Sequence, residues 1–186
     1  MEDFRESYVN LTLKTMMGLK WASTFCSNAQ FVFKVDDDNF VNVDNLLRYL
    51  KKTPHQDDLL GGRCDRSPRP IRQTQSKWFV SLQQFPHPTY PPLCYGTAYV
   101  MSMRVAEKVF EASKNVPLFY LEDVYTTGLV ANKRLGYRPI SIPGFHSGLG
   151  EFKRCFYKKT VIASHSFKPG QVRSMWYRVM AQDPPC

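Results

Sequence analysis

The chain has 186 residues, 43% hydrophobic and 14% aromatic, with a formal net charge of +9. That length suits one domain or a large part of one, and that apolar content builds a packed core and excludes a disordered chain. The basic residues are spread out, the densest runs being Lys51-Lys52, Lys133-Arg134 and Lys158-Lys159; no helix-turn-helix, zinc-finger or RNA-recognition signature accompanies them, which argues against a nucleic-acid partner.

The chain enters a helical pattern almost at once, with no signal peptide and no apolar run able to span a bilayer, and reads as N-terminally truncated. Tyr8 to about Phe25 places Leu11, Leu13, Met16, Met17, Leu19 and Trp21 at helical spacing, with Ser7 as N-cap. Phe31 to Val35 has the content of a buried strand and ends in Asp36-Asp37-Asp38. Val43 to Leu50 is a second helix capped by Asn42 or Asp44 and stopped by Pro54. Asp57 to Gly62 predicts a short strand running into a glycine turn, and Arg63 to Gln75 a basic loop. Lys77 to Leu82 reads as a strand, and Phe85 to Pro92, with four prolines, is irregular. Tyr95 to Met101 is a small-residue turn leading into a strand, Ser102 to Lys114 a helix, and Val116 to Leu121 a connector. Glu122 to Leu135 is a helix with two acids in its first turn and Gly136 just past its end. Tyr137 to Ile142 is a strand, Gly144 to Gly150 a glycine-rich loop carrying His146, Tyr157 to Ser164 a strand, and Pro169 to Met180 the last helix. Strands alternating with helices predict an α/β fold with ligands at strand C-termini.

The cysteines are Cys26, Cys64, Cys94, Cys155 and Cys186, with no CxxC pair. They fit a secretory-pathway domain with two disulfides and one thiol left over, the connectivity being open. Asn10-Leu11-Thr12 is an acceptor sequon for N-glycosylation.

Three places carry candidate chemistry. Adjacent carboxylates such as Asp36-Asp37-Asp38 repel one another unless a cation sits among them, and hard cations such as Mg²⁺ or Mn²⁺ take carboxylate oxygens with substrate phosphates completing the shell. A solvated acidic turn is the plainer alternative. Glu122-Asp123 offers a carboxylate for general-base work or, more simply, a helix cap. His146 or His165 offers an imidazole at a strand-end loop.

Taken together, the segments Glu2 to Thr15, Lys34 to Asn42, Ser76 to Ser81, Tyr90 to Val100, Glu122 to Tyr125 and Ile162 to Pro169 resemble, in order, the signatures of the β-1,3-galactosyltransferase and β-1,3-N-acetylglucosaminyltransferase family. The resemblance implies a GT-A-type α/β fold, a UDP-galactose or UDP-N-acetylglucosamine donor, Mn²⁺ (or Mg²⁺), a glycan acceptor on glycoprotein or glycolipid, and β-1,3 transfer with inversion. It implies type II anchoring on the lumenal side of the Golgi membrane, with the anchor in a longer parent. Carried over by position, Asp38 and His165 are the metal ligands, with His146 the alternative. Asp36, Asp37, Gly96 and Thr97 contact the donor. Asp123 is the base, and Glu122 and Trp78 meet the acceptor. Residues 1–186 are then the C-terminal two-thirds of one catalytic domain, without its N-terminal strands. The spacing after Asp123, at Thr126-Thr127-Gly128, is one residue longer than in many relatives. Competing readings are a non-catalytic or inactive truncated homologue that binds glycan or a partner protein, and metal-dependent phosphoryl transfer, which lacks a P-loop or kinase motif set.

Overall fold

The computed structural model describes residues 3–26, 28–53, 56–148, 151–168, 170–181 and 186. Its centre is β4, Leu93–Ser102, a ten-residue strand paired antiparallel with β1 (Phe31–Val35) on one side and β3 (Leu60–Asp65) on the other. A short β5, Ile140–Ser141, runs parallel to β3 and completes a four-stranded sheet in the order β1-β4-β3-β5. A second sheet joins β2 (Phe40–Val41), β7 (Ala163–Ser164) and β6 (Phe145–His146), with β7 in the middle. The architecture is mixed α/β, as the sequence predicts.

Alternation along β4 decides which layer each side chain joins. Tyr99 and Met101 face α1 (Leu11–Phe25), α3 (Met103–Ser113) and a helix over Val124–Arg134, packing with Met16, Leu19, Val105, Val109 and Val130. Ala98 and Val100 face the other way, onto Leu46 and Leu50 of α2 (Val43–Lys52) and onto Phe145, Ile162 and Ala163 around the second sheet. The outer side of that sheet is closed by α4 (Arg154–Lys159) and α5 (Gln171–Met180), whose Tyr157, Met175 and Val179 pack with Phe40, Val161 and Phe167. Among the described residues no helix is long and apolar enough to cross a membrane.

Several elements differ from their sequence reading for identifiable reasons. The Tyr8-to-Phe25 helix opens as a 3-10 turn over Tyr8–Asn10, and Ser7 precedes it in extended backbone without a side-chain cap. Gly61 and Gly62 lie within β3, not in a turn: a Cβ on Gly62 would stand 2.8 Å from the Ala98 carbonyl oxygen of β4, so glycine lets the strands approach. The strand expected over Lys77 to Leu82 reduces to one bridge between Ile71 and Phe79, because Ser76 turns the chain before it and Ser81 and Gln84 cap each other after it. Tyr157 to Ser164 is largely not strand: α4 occupies its first part, with Tyr157 turned inward, and only Ala163–Ser164 pair. Tyr137 to Ile142 contributes only β5, and the glycine-rich loop around His146 holds β6. The turn expected at Tyr95 is already inside β4. Asn42 rather than Asp44 caps α2, its side chain accepting from the Asn45 amide at 3.2 Å. Pro54, Gly150 and Pro169, to which the sequence assigns a stop, a loop end and a helix start, lie outside the described residues.

Val124–Arg134 is wound as a π-helix, with Leu135 N–H bonding back to the Val130 carbonyl and Gly136 leaving at φ +80°. π-turns concentrate at functional sites. The pairings Cys64–Cys94 and Cys155–Cys186 form the expected two disulfides, and Cys26 is free.

Candidate active site

The acidic triplet is held by its neighbours. The Asp36 amide donates to the Thr97 carbonyl at 3.1 Å, extending the β1–β4 ladder by one residue. Buried Asn39 latches the turn that follows, its Nδ2 donating to the carbonyls of Asp36 and Thr97, each at 3.1 Å. Phe40, fully buried, then pairs with Ser164 of β7. That pairing brings the residue after β7, His165, against the triplet: its Nε2 lies 3.0 Å from Asp38 Oδ2. The Phe167 amide donates to the Asp38 carbonyl at 3.0 Å, and Ser166 between them takes φ +81°, a left-handed conformation rare outside glycine.

Asp36, Asp38 and His165 each offer a ligand atom, all within 4.8 Å of one another and all half-buried. Two carboxylate oxygens and an imidazole nitrogen suit Mn²⁺ or Mg²⁺. Ser166 Oγ meets His165 Nδ1 at 2.9 Å; with the ring hydrogen on Nδ1, Nε2 keeps its lone pair for a metal. The donor set therefore fits the cation that the sequence suggests. Asp37 is exposed and outside this group. His146, the alternative ligand, is in no such group among the described residues; its ring faces a separate cleft beside β6.

The second carboxylate site stands at the entry to the π-helix. Asp123 accepts the Gly96 amide on Oδ2 at 2.9 Å and the Val124 amide on Oδ1 at 2.8 Å. Burial pushes its carboxyl up, and those amide bonds and Lys34 pull it partly back. Glu122 is 6% exposed. Its Oε1 accepts the Tyr99 hydroxyl at 2.6 Å, and its Oε2 lies 3.6 Å from Lys34 Nζ. Burial, and then neighbouring Asp123, raise Glu122 against the opposing pull of Lys34 and Tyr99. A Cβ on Gly96 would meet Glu122 Oε2 at 3.2 Å and Asp123 Cβ at 3.3 Å, so this glycine lets β4 lie directly under the acidic pair.

Lys34 joins the two sites. Its ammonium donates to Asp36 Oδ1 at 2.5 Å and to the Gly96 carbonyl, and faces Glu122. Burial alone would depress it, but Glu122, Asp36 and Asp123 outweigh that and hold it raised. Lys34, Tyr99 and Asn39 belong to no motif with a role readable from the sequence. For Lys34 the available signal was one charge inside the apolar run Phe31-Val32-Phe33-Lys34-Val35.

Trp78 is 46% exposed, and Lys77 Nζ sits 4.7 Å from its ring centroid and 5.3 Å from that of Tyr8. Burial raises the Tyr8 hydroxyl, and the charges of Asp123 and Asp36 raise it further. Lys77 therefore sits between the two rings. Thr97 contributes its backbone carbonyl to the Asp36–Asn39 latch. Asn10 stands at the junction of the 3-10 turn and α1, its Nδ2 donating to the Arg5 carbonyl at 2.7 Å.

The Galactosyltransferase family profile matches residues 1–138. Mouse beta-1,3-galactosyltransferase 1 is 41% identical over 179 residues, covering 95% of this chain and 53% of its own. Human beta-1,3-galactosyltransferase 5 is 42% identical over 178 residues, covering 94% of this chain and 56% of its own. The chain thus spans about half the length of the curated relatives it matches. With the profile covering most of its residues, the chain belongs to the galactosyltransferase family.

Proposed function

We propose that this chain carries the catalytic groups of a metal-dependent transferase that moves galactose from UDP-galactose to the 3-hydroxyl of an acceptor glycan, forming a β-1,3 linkage with inversion. The observation that carries the reading is the single junction at Lys34 and Gly96, which fixes the Asp36/Asp38/His165 group and the Glu122/Asp123 pair to one strand end. The names of the similar proteins favour galactose as the sugar and β-1,3 as the linkage.

Asp38 and His165, with Asp36 beside them, would hold the cation, which when bound supplies positive charge against a leaving diphosphate. Asp123 takes the proton from the acceptor hydroxyl as that oxygen bonds to the anomeric carbon and the bond to the diphosphate breaks. Each Asp123 oxygen keeps a lone pair beyond its amide bond, so the carboxylate is fixed in direction yet able to accept. Its raised pKa moves it toward the working range of a base. Asp36 meets the ribose, Gly96 and Thr97 let the donor approach the backbone, Glu122 orients the acceptor, and Trp78 offers a ring face to a sugar. The two disulfides fit an oxidising compartment, in keeping with a Golgi lumenal location of a longer protein whose catalytic domain includes these residues.

Calorimetric titration of UDP with and without Mn²⁺, into the chain and its Asp38→Ala variant, tests the reading. The expected result is binding that needs both Mn²⁺ and Asp38. Metal-independent binding, or none from a folded sample, sinks the assignment to this chain; transfer from UDP-N-acetylglucosamine rather than UDP-galactose corrects the sugar.

A further inference from the structure

One feature near the junction is untouched by this chemistry. Between β6 and α4 lies a cleft of about 360 Å³, lined by Arg63, His146, Ser147, Glu151, Phe156 and Tyr157 among others, within the roughly 300–1,000 Å³ typical of small-molecule sites. It is close to the metal group: the His165 amide donates to the His146 carbonyl at 3.2 Å, and Ser164, the residue before His165, bonds through its hydroxyl to the Gly148 carbonyl at 3.2 Å.

We propose that this cleft is a subsite for a neutral pyranose of the acceptor, one residue removed from the sugar that reacts; this rests on the transferase reading above. Three features select such a ligand. Phe156 is 43% exposed, though it is a large apolar ring, and its centroid is 5.6 Å from that of His146, so a ring face is left for the C–H surface of a sugar. His146 Nε2 is buried with no hydrogen-bond partner among the described residues, an arrangement a ligand hydroxyl corrects after a small turn of the ring. The charges at the mouth balance: Arg63 lies 5.5 Å from the Tyr95 ring centroid, and Glu151 is paired with Lys153 at 3.2 Å. A diphosphate would meet the Glu151 carboxylate, whereas a polyhydroxylated neutral ring finds donors, acceptors and an apolar plate together.

The test is saturation-transfer NMR of methyl β-lactoside with the chain, in the presence and absence of UDP and Mn²⁺, for the native protein and for Phe156→Ala, His146→Phe and a distant exposed-aromatic control, Phe25→Ala. The expected outcome is a glycoside signal insensitive to UDP, about tenfold weaker in both cleft variants and unchanged in the control. Because Phe156 is half exposed, its truncation leaves the fold intact, which thermal unfolding verifies. No glycoside signal from the native chain, equal signals in all variants, or displacement by UDP each overturns the subsite. Failure of UDP to bind in the Asp38 titration instead removes the transferase reading while glycoside binding at the cleft stands, so the two failures are distinguishable.

Discussion

Asp123 commits both carboxylate oxygens to backbone amides, Gly96 on one side and Val124 on the other, and so points in one direction before any acceptor arrives. Replacing it with Asn keeps the shape and removes the base; transfer should fall by about 10²–10⁴-fold while UDP binding with Mn²⁺ is retained, read by initial rates beside calorimetry. Burial raises Asp123 above its ordinary 3.8 and Glu122 above its ordinary 4.5. A base must be ionised, so kcat/KM should rise with pH along an acid limb placed above 3.8. Stability carries the opposite sign. A carboxyl whose folded pKa exceeds its unfolded one favours folding below the unfolded value and loses that contribution as pH rises through the folded one. Glu122→Gln should therefore be at least as stable as the native chain at pH 7, with the difference shrinking as pH falls toward 4.5, measured by thermal melts across that window. Lys34 is the converse case. Its side chain is 21% exposed and faces a Glu122 only 5% exposed, so Lys34→Met leaves a buried carboxylate unpaired. It should cost about 3–5 kcal/mol in urea unfolding at neutral pH.

The element that ties Asp123 to the sheet is the π-helix, through Thr127. Its hydroxyl donates to the Asp123 carbonyl at 2.7 Å and accepts from the Cys94 amide at 3.0 Å. Thr127→Val keeps the volume and strands those groups, so it should cost about 1–3 kcal/mol in chemical denaturation and lower kcat more than it raises KM. This helix also marks the limit of what the sequence made legible. The acidic pair at its start and Gly136 at its end are visible in the chain, but the π winding between them depends on β4 and α3 packing against it. The same holds elsewhere. Phe31–Val35 and Met103–Ser113 follow from local pattern and caps. Lys77 to Leu82 has strand-like residues, yet side-chain caps from Ser76, Ser81 and Gln84 claim its backbone. Arg154–Lys159 combines aromatic and basic residues that suit strand or helix, and burial of Tyr157 beneath Phe40 decides for helix. At the site, the triplet and the acidic pair were readable as motifs. Lys34 was not, because its importance lies in what it faces across the β1–β4 pair.

For the whole molecule, the two sheets meet through residues far apart in sequence, and Cys155–Cys186 fastens the closing helices, α4 and α5, to the last residue across a separation of 31. Replacing Cys155 and Cys186 with serine should lower stability by about 3–4 kcal/mol by the loop-entropy estimate, seen as a lower melting temperature. It should leave the Asp38–His165 contact in place at room temperature, so Mn²⁺-dependent UDP binding persists below the new transition. The Phe40–Ser164 pairing, not the disulfide, delivers His165 to Asp38.

The antiparallel pairing of β1 with β4 has a consequence for how the protein comes into being. Lys34 and the Gly96 carbonyl it binds are 62 positions apart, and every residue between them must be synthesised before the two can meet. Closing so large a loop costs entropy that local helices do not face, and contacts of this range slow the search for the native state. Helices α1 and α2 therefore have time to form and reopen while the carboxylates of the triplet remain without their lysine. Catalytic competence should appear as a late kinetic phase, trailing helical circular dichroism after dilution from denaturant. Substitutions that weaken the strand pair at Val35 and Ala98 should delay that phase more than they delay helix formation.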